Sequence, residues 1–276
     1  MSRIRRIAPG LGRGGLIGNT EGPEAYLREL DTLPSQFCRA TGGTETVISQ
    51  GGKFYRVHTF TDTDPTSLLL NFDGTNGSTT FTDDSGWGHA VTANGNAEIS
   101  TTQSKFGGSS VALLSRSDTA SLSPSSTFAF GTGDFTVECW FYSTQDETFG
   151  GTLFGQTEVG VNYFSFRAGT GDPVQRRLSF RYDTNTEFTH HATYSLNQWH
   201  HAAVVRSSGT VHLYLDGVQS TSSASVPFDF TNLTYNPTIG SHSHSTAAAK
   251  FFGYIDSLRI TKGQALYTAA YLHTYG

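Results

Sequence analysis

Glu138, Trp140 and Tyr142 fall at alternate positions of one segment. An extended chain therefore puts all three on one face. Rings beside a carboxylate suit a sugar: the rings meet its apolar C–H face, and polar groups fix its hydroxyls. Arg181, Tyr182 and Tyr214 lie in other extended segments and are candidates to join that face. The alternative is that these aromatics fill the space between two sheets. Glycoside hydrolysis needs two carboxyl groups set across a cleft, and Glu138 is the only acid in its segment. No Gly-x-Ser-x-Gly, His-Glu-x-x-His or phosphate loop occurs either. A binding role is expected rather than an enzymatic one.

The histidines invite metal chemistry, since neighbours at i and i+2 on a strand share a face. His242 and His244 have that spacing, but they sit in Ser241-His242-Ser243-His244-Ser245, which reads as a solvated loop. His190-His191 and His200-His201 are further pairs. His201 is in phase with Ala203 and Val205 and reads as a packed residue. Trp199 reads as core at a strand start. Cys38 and Cys139 are far apart, so neither a disulfide framework nor a cysteine metal site is expected.

These residues must be held by many short strands. Charged residues make up 15% of the chain, against roughly 25% in an average domain. There are 31 Gly, 20 Phe and 12 Tyr, a mixture of turn formers and strand formers. Phe135, Val137, Cys139 and Phe141 alternate with Thr136, Glu138, Trp140 and Tyr142. Phe164-Ser165-Phe166, Leu178-Ser179-Phe180 and Ala202 to Val205 repeat the strand pattern. Val211, Leu213 and Leu215 face one way, and Asp216-Gly217 then supplies a tight turn with positive φ at both positions. No long 3.6-residue apolar period appears, so helix content is expected to be low. The fold class read from this pattern is all-β, a two-sheet sandwich.

Upstream, Arg3, Arg5, Arg6 and Arg13 precede the first acid, Glu21, although the whole chain carries a net charge of −5. This arm is suited to an acidic partner surface, or is simply a solvated terminus. The weakly acidic remainder argues against nucleic acid as a partner. Glu24 to Leu30 is expected to form a short helix. Thr46-Val47-Ile48, Gly51-Gly52 and Phe54 to Phe60 read as a β-hairpin. The expected division is residues 1–66, arm and hairpin, and residues 67–276, sandwich. No run approaches the ~20 apolar residues of a membrane helix. No signal peptide is visible, so synthesis in a cytoplasm without Sec-type export is expected.

From Leu70-Asn71-Phe72-Asp73-Gly74 onward the chain resembles a LamG-like jelly-roll domain of the concanavalin A-like lectin/glucanase superfamily. The resemblance continues through Asp84-Ser85-Gly86, His89, Lys105-Phe106-Gly107-Gly108-Ser109 and Gly133-Asp134-Phe135-Thr136-Val137-Glu138. It closes on Gly253-Tyr254-Ile255-Asp256-Ser257-Leu258-Arg259-Ile260 and Leu266-Tyr267-Thr268. It covers about residues 67–272 and implies an antiparallel jelly roll. It also implies one structural Ca²⁺, with Asp73 and Asp256 as side-chain ligands and Asp84 as a third candidate; Asp73 capping a turn and Asp256 pairing locally is the alternative. Hydrolases on this fold often carry Glu-x-Asp-x-Glu along one strand, which this chain lacks.

The subtype is similar to domains of tailed-phage virion proteins, and Tyr55-Arg56-Val57-His58-Thr59-Phe60 resembles hairpins of phage tail appendages. The resemblance implies a virion component made in the host cytoplasm. Residues 1–66 would attach it to other virion proteins, and the sandwich would bind host-surface glycan through Glu138, Trp140, Tyr142, Arg181 and Tyr214. A homo-oligomer, with a trimer as the first guess, is the expected assembly. A capsid decoration or assembly protein without ligand, and a secreted lectin or hydrolase module, are the alternatives.

Overall fold

The computed structural model describes residues 65–146, 150–157, 163–170, 175–182, 187–226, 229–230, 235–241 and 249–270, and the backbone of Thr44–Gln50 and Lys53–Thr59. Two compact units result, one spanning residues 65–274 and the other holding the hairpin. In the hairpin the strands Thr44–Gln50 and Lys53–Thr59 pair antiparallel, with Gln50 opposite Lys53. That register leaves Gly51-Gly52 as the connection, as the sequence indicates. The proposed helix at Glu24 to Leu30 and the His242/His244 loop lie outside the described residues.

The larger unit is a two-sheet antiparallel jelly-roll sandwich, with one sheet of eight strands and one of nine among the described residues. The strand Phe135–Ser143 lies inside the nine-stranded sheet, between Trp199–Ser207 and Gly253–Lys262. Gly253–Lys262 in turn pairs with Thr66–Leu70, so the first and last strands of the domain are neighbours. The one helical turn described is the 3₁₀ segment Ser126–Phe128.

Alternation decides which residues enter the core. Val137, Cys139 and Phe141 point inward with Ala202, Val204, Leu213, Ile255 and Leu258. The eight-stranded sheet answers with Phe154, Phe164, Phe166 and Phe180. Phe164 packs edge-on to Phe154 at 5.8 Å and to Phe180 at 4.9 Å. Each such ring contributes ~1.5–3 kcal/mol when taken out of water, as do the aliphatic side chains that pack around it. Asp216 (φ 50°) and Gly217 (φ 80°) form the expected tight turn after the strand Thr210–Leu215.

Candidate functional site

The same alternation sends Thr136, Glu138, Trp140 and Tyr142 to the outer face of the nine-stranded sheet. Cross-strand pairing sets Trp199 beside Tyr142, His201 beside Trp140, and Ala203 beside Glu138. On the other flank Tyr254 is opposite Tyr142 and Asp256 is opposite Trp140. Ala203, Val205 and Tyr214 form a second apolar cluster here, separate from the main core. Trp140, Tyr142 and Tyr214 therefore share a face, and it is not the one between the sheets. Tyr182 does not join them but belongs to the main core, stacked with Phe180. Nor does Arg181 join them: it belongs to Leu178–Arg181 in the eight-stranded sheet, opposite Ser165 and Glu187.

Much of this outer face is covered. The segment 263–267 crosses Tyr214 and Glu138. Thr136 Oγ1 donates to the Gln264 carbonyl at 3.1 Å and accepts from the Leu266 N–H at 3.0 Å. The Tyr214 hydroxyl donates to the Tyr267 carbonyl at 3.1 Å, and Tyr214 is fully buried. Glu138 is buried as well. It is ion-paired with Arg259, accepts the Tyr267 hydroxyl at 2.5 Å, and lies 3.2 Å from His201 Nε2. Burial pushes its pKa up, but the Arg259 charge and the His201 and Tyr267 contacts outweigh that and hold it well below the usual carboxylate range. Glu138 and Tyr214 thus serve as internal supports of this face, which corrects their reading as direct ligand contacts.

Trp140 is buried under a second cover. Lys105 Nζ lies 4.1 Å from its ring centre, and the Phe106 ring meets it edge-on at 5.8 Å. The uncovered part is the row ahead of it. Tyr142 and Trp199 are both half-buried, with rings 5.6 Å apart, and Tyr254 packs against Tyr142 at 5.9 Å. Trp199 is therefore not core. Its parity was legible, because it is in phase with His201, Ala203 and Val205, which face outward, and out of phase with Ala202 and Val204.

The pairing of first and last strands brings Asp73 towards Asp256, while Asp84 is placed by the bond its N–H donates to the Leu69 carbonyl at 2.8 Å. Leu70 pairs with Leu258, which brings the chain after Leu70 alongside the chain before Leu258. Two left-handed residues, Phe72 (φ 54°) and Ser257 (φ 49°), then turn the backbone beside Asp73 and Asp256. Asp73 lies against Gly107, where a Cβ would fall 1.7 Å from its Oδ1. Burial raises the Asp73 pKa and the Asp84 charge raises it further. Asp256, fully buried, is pushed up to about 6 by burial, against backbone N–H bonds that lower it and with the Asp73 charge adding.

Hard carboxylate oxygens suit Ca²⁺, and a cation would relieve the repulsion between Asp73 and Asp84. Asp256 fits less well. Its Oδ2 accepts the Lys105 and Phe106 N–H groups at 2.8 and 2.9 Å, and its Oδ1 accepts the Ser257 hydroxyl at 3.2 Å. It braces the loop that covers Trp140. Asn71 donates to Asp84 Oδ2 at 3.0 Å. Among the described residues no three His, Cys, Asp or Glu side chains converge tightly enough to hold one ion.

Residues 114–267 match the concanavalin A-like lectin/glucanases superfamily. No curated protein sequence matches the chain. Among solved structures, the chain is similar to domain 4 of AbnA, a GH43 extracellular arabinanase from Geobacillus stearothermophilus, in complex with arabinotriose. That likeness has a TM-score of 0.56 at 21% identity and covers 72% of this chain and 93% of that one. The binding domain of Paraclostridial Mosquitocidal Protein 1 gives 0.55 at 15% identity, covering 73% of this chain and 49% of that one. The botulinum neurotoxin serotype G binding domain gives 0.53 at 14% identity, covering 73% and 48%. The chain thus spans about half the length of the toxin binding domains it matches. The match over more than half the chain, on a two-sheet antiparallel sandwich, makes this protein a member of the concanavalin A-like lectin/glucanases superfamily.

Proposed function

We propose that this chain is a non-catalytic glycan-binding protein whose sandwich engages sugar at the uncovered end of the outer face. The observation that carries this reading is the row Tyr142–Trp199, two half-buried rings held side by side by strand register. Such rings are fixed before a ligand arrives, so little side-chain entropy is lost on binding. Glu138, the acid nearest the aromatic face in its strand, is held by Arg259, Tyr267 and His201 rather than offered to a substrate. A neighbouring fold is known with arabinotriose bound. The finer proposal is an adhesin of a tailed-phage virion appendage, attached through residues 1–66, oligomeric, and binding host-surface glycan. Its support is the resemblance of the hairpin and the arginine-rich arm ahead of it.

A Ca²⁺ ion held by Asp73 and Asp84, with backbone carbonyls completing the shell, is part of the proposal. It would stiffen the edge that carries the Lys105–Gly108 loop. The test is a glycan array and titration with the full chain, alongside Tyr142→Ala and Trp199→Ala. Loss of binding in both with folding retained supports the site, and failure of the wild-type chain to bind any host-envelope glycan overturns it. The covers over Trp140 and Tyr214 favour a second reading, a decoration or assembly protein with no ligand. That reading predicts that removing residues 1–40 abolishes incorporation, whereas surface changes at Tyr142 leave infectivity intact.

A further inference from the structure

The open aromatic row is bordered by a carboxylate that its turn does not require. Asp216 opens the tight turn after the strand Thr210–Leu215, and Asn or Gly would satisfy its left-handed φ of 50° as well. The carboxylate does more than turn the chain. Its Oδ1 accepts the His201 N–H at 2.8 Å, and its Oδ2 lies 2.7 Å from His200 Nδ1. His200 Nε2 accepts the Ser195 N–H at 3.1 Å, so the ring proton sits on Nδ1 and is donated to Asp216. Burial pushes the Asp216 pKa up, but the His200 and His201 bonds outweigh that and hold it below the usual carboxylate range. The group is therefore ionised at neutral pH.

Two bonds do not exhaust this acceptor. A carboxylate offers about four lone-pair positions, and the Asp216 side chain is 40% exposed. One position on each oxygen remains for a donor from solvent, in an orientation fixed by His200 and His201. Two observations put it beside the row. His201, whose N–H it accepts, is two strand positions from Trp199, about 7 Å. Lys105 Nζ lies 4.1 Å from the Trp140 ring centre on the same outer face. Burial lowers the Lys105 pKa, and the Asp216 charge opposes this more strongly than the Asp256 charge, although Asp256 accepts the Lys105 backbone N–H.

An indole with a fixed acceptor at its side is complementary to a sugar ring. The C–H face lies on the indole, and the hydroxyls donate to the carboxylate in short, charge-assisted bonds. The charges decide the kind of sugar. A carboxylate or sulfate substituent would be repelled by Asp216, and an ammonium substituent would meet the Lys105 charge. We propose that Asp216 is the hydroxyl-reading residue of the row: it accepts from two adjacent hydroxyls of a neutral sugar stacked on Trp199. This rests on the glycan-binding reading at Tyr142 and Trp199, and narrows its ligand to uncharged glycans.

The test applies the full chain to an array of neutral oligosaccharides, uronic, sialylated and sulfated glycans, and free-amino chitosan oligomers. Calorimetry follows with the tightest-bound glycan and its monodeoxy analogues. The bound glycans are expected to be neutral. Asp216→Asn places a residue that also suits the left-handed turn, so it is expected to melt as the wild type does. Its affinity is expected to fall roughly tenfold or more, as for loss of a hydrogen bond to a charged group. Removing the hydroxyl that Asp216 reads is expected to cost the wild type a similar factor and Asp216→Asn little. A purely structural role at the turn would leave the two losses additive. Binding confined to acidic or free-amino glycans, additive losses, or Asp216→Asn binding as tightly as the wild type overturns the inference. If Trp199→Ala then still abolishes binding, the glycan reading stands without Asp216. A chain that binds no glycan at all overturns both.

Discussion

Glu138 carries its charge in a place where a lone carboxylate would be ruinous. Arg259, His201 and Tyr267 make that burial tolerable, and the network ties three elements together. Removing one partner of a buried pair leaves the other uncompensated, at a cost of about 3–5 kcal/mol. Arg259→Met is expected to destabilise the sandwich by that amount in urea unfolding, and Glu138→Gln/Arg259→Met together by less than the sum of the singles. The sign of the pH effect follows from the direction of the shift. A carboxylate held below its unfolded value contributes stability that is complete above an unfolded pKa of about 4.3 and is lost as pH falls towards the folded one. The wild-type melting temperature should therefore drop more steeply below that pH than that of Glu138→Gln. The face that Glu138 occupies was legible from alternation. Its partners were not, because Arg259 and Tyr267 come from more than a hundred residues away and no local pattern announces such a pairing.

At the scale of elements, strand register does the positioning and close backbone approach fixes it. Gly253 opens its strand at φ 149°, where a Cβ would fall 2.0 Å from the Tyr142 carbonyl oxygen. Gly253→Ala should cost about 3 kcal/mol and disturb Tyr142, so binding and stability fall together. Gly107→Ala acts elsewhere: its Cβ would displace Asp73. The expected outcome is loss of any calcium-dependent rise in melting temperature, with the aromatic row intact. The long strands Phe135–Ser143, Trp199–Ser207 and Gly253–Lys262 were readable because alternation over six or more residues is hard to mistake. Two-residue strands such as Thr80–Phe81 and Thr238–Ile239 were not. They show no period, and only their tertiary partners make them strands. The cover over Glu138 was missed for the same reason: the segment 263–267 has no repeat, and its role appears only once Tyr267 meets Tyr214 and His201.

For the whole molecule, the sandwich divides its labour between two faces. Phenylalanines between the sheets hold it together, and the outer face of the nine-stranded sheet is part covered, part open. The open part is where ligand binding is proposed, and calcium at Asp73 and Asp84 would act at the sheet edge beside it. If that ion is bound, millimolar Ca²⁺ raises the melting temperature and Asp73→Asn removes the effect; an unchanged melting curve would discard it. The central claim concerns the open row itself, and the most direct test is glycan binding by the full chain and its Tyr142→Ala and Trp199→Ala variants, with folding checked by near-UV circular dichroism. The wild-type chain is predicted to bind a host-envelope glycan, and each variant to lose roughly tenfold in affinity, equivalent to ~1.4 kcal/mol. A wild-type chain that binds none, or variants that bind as tightly as the wild type, would contradict it.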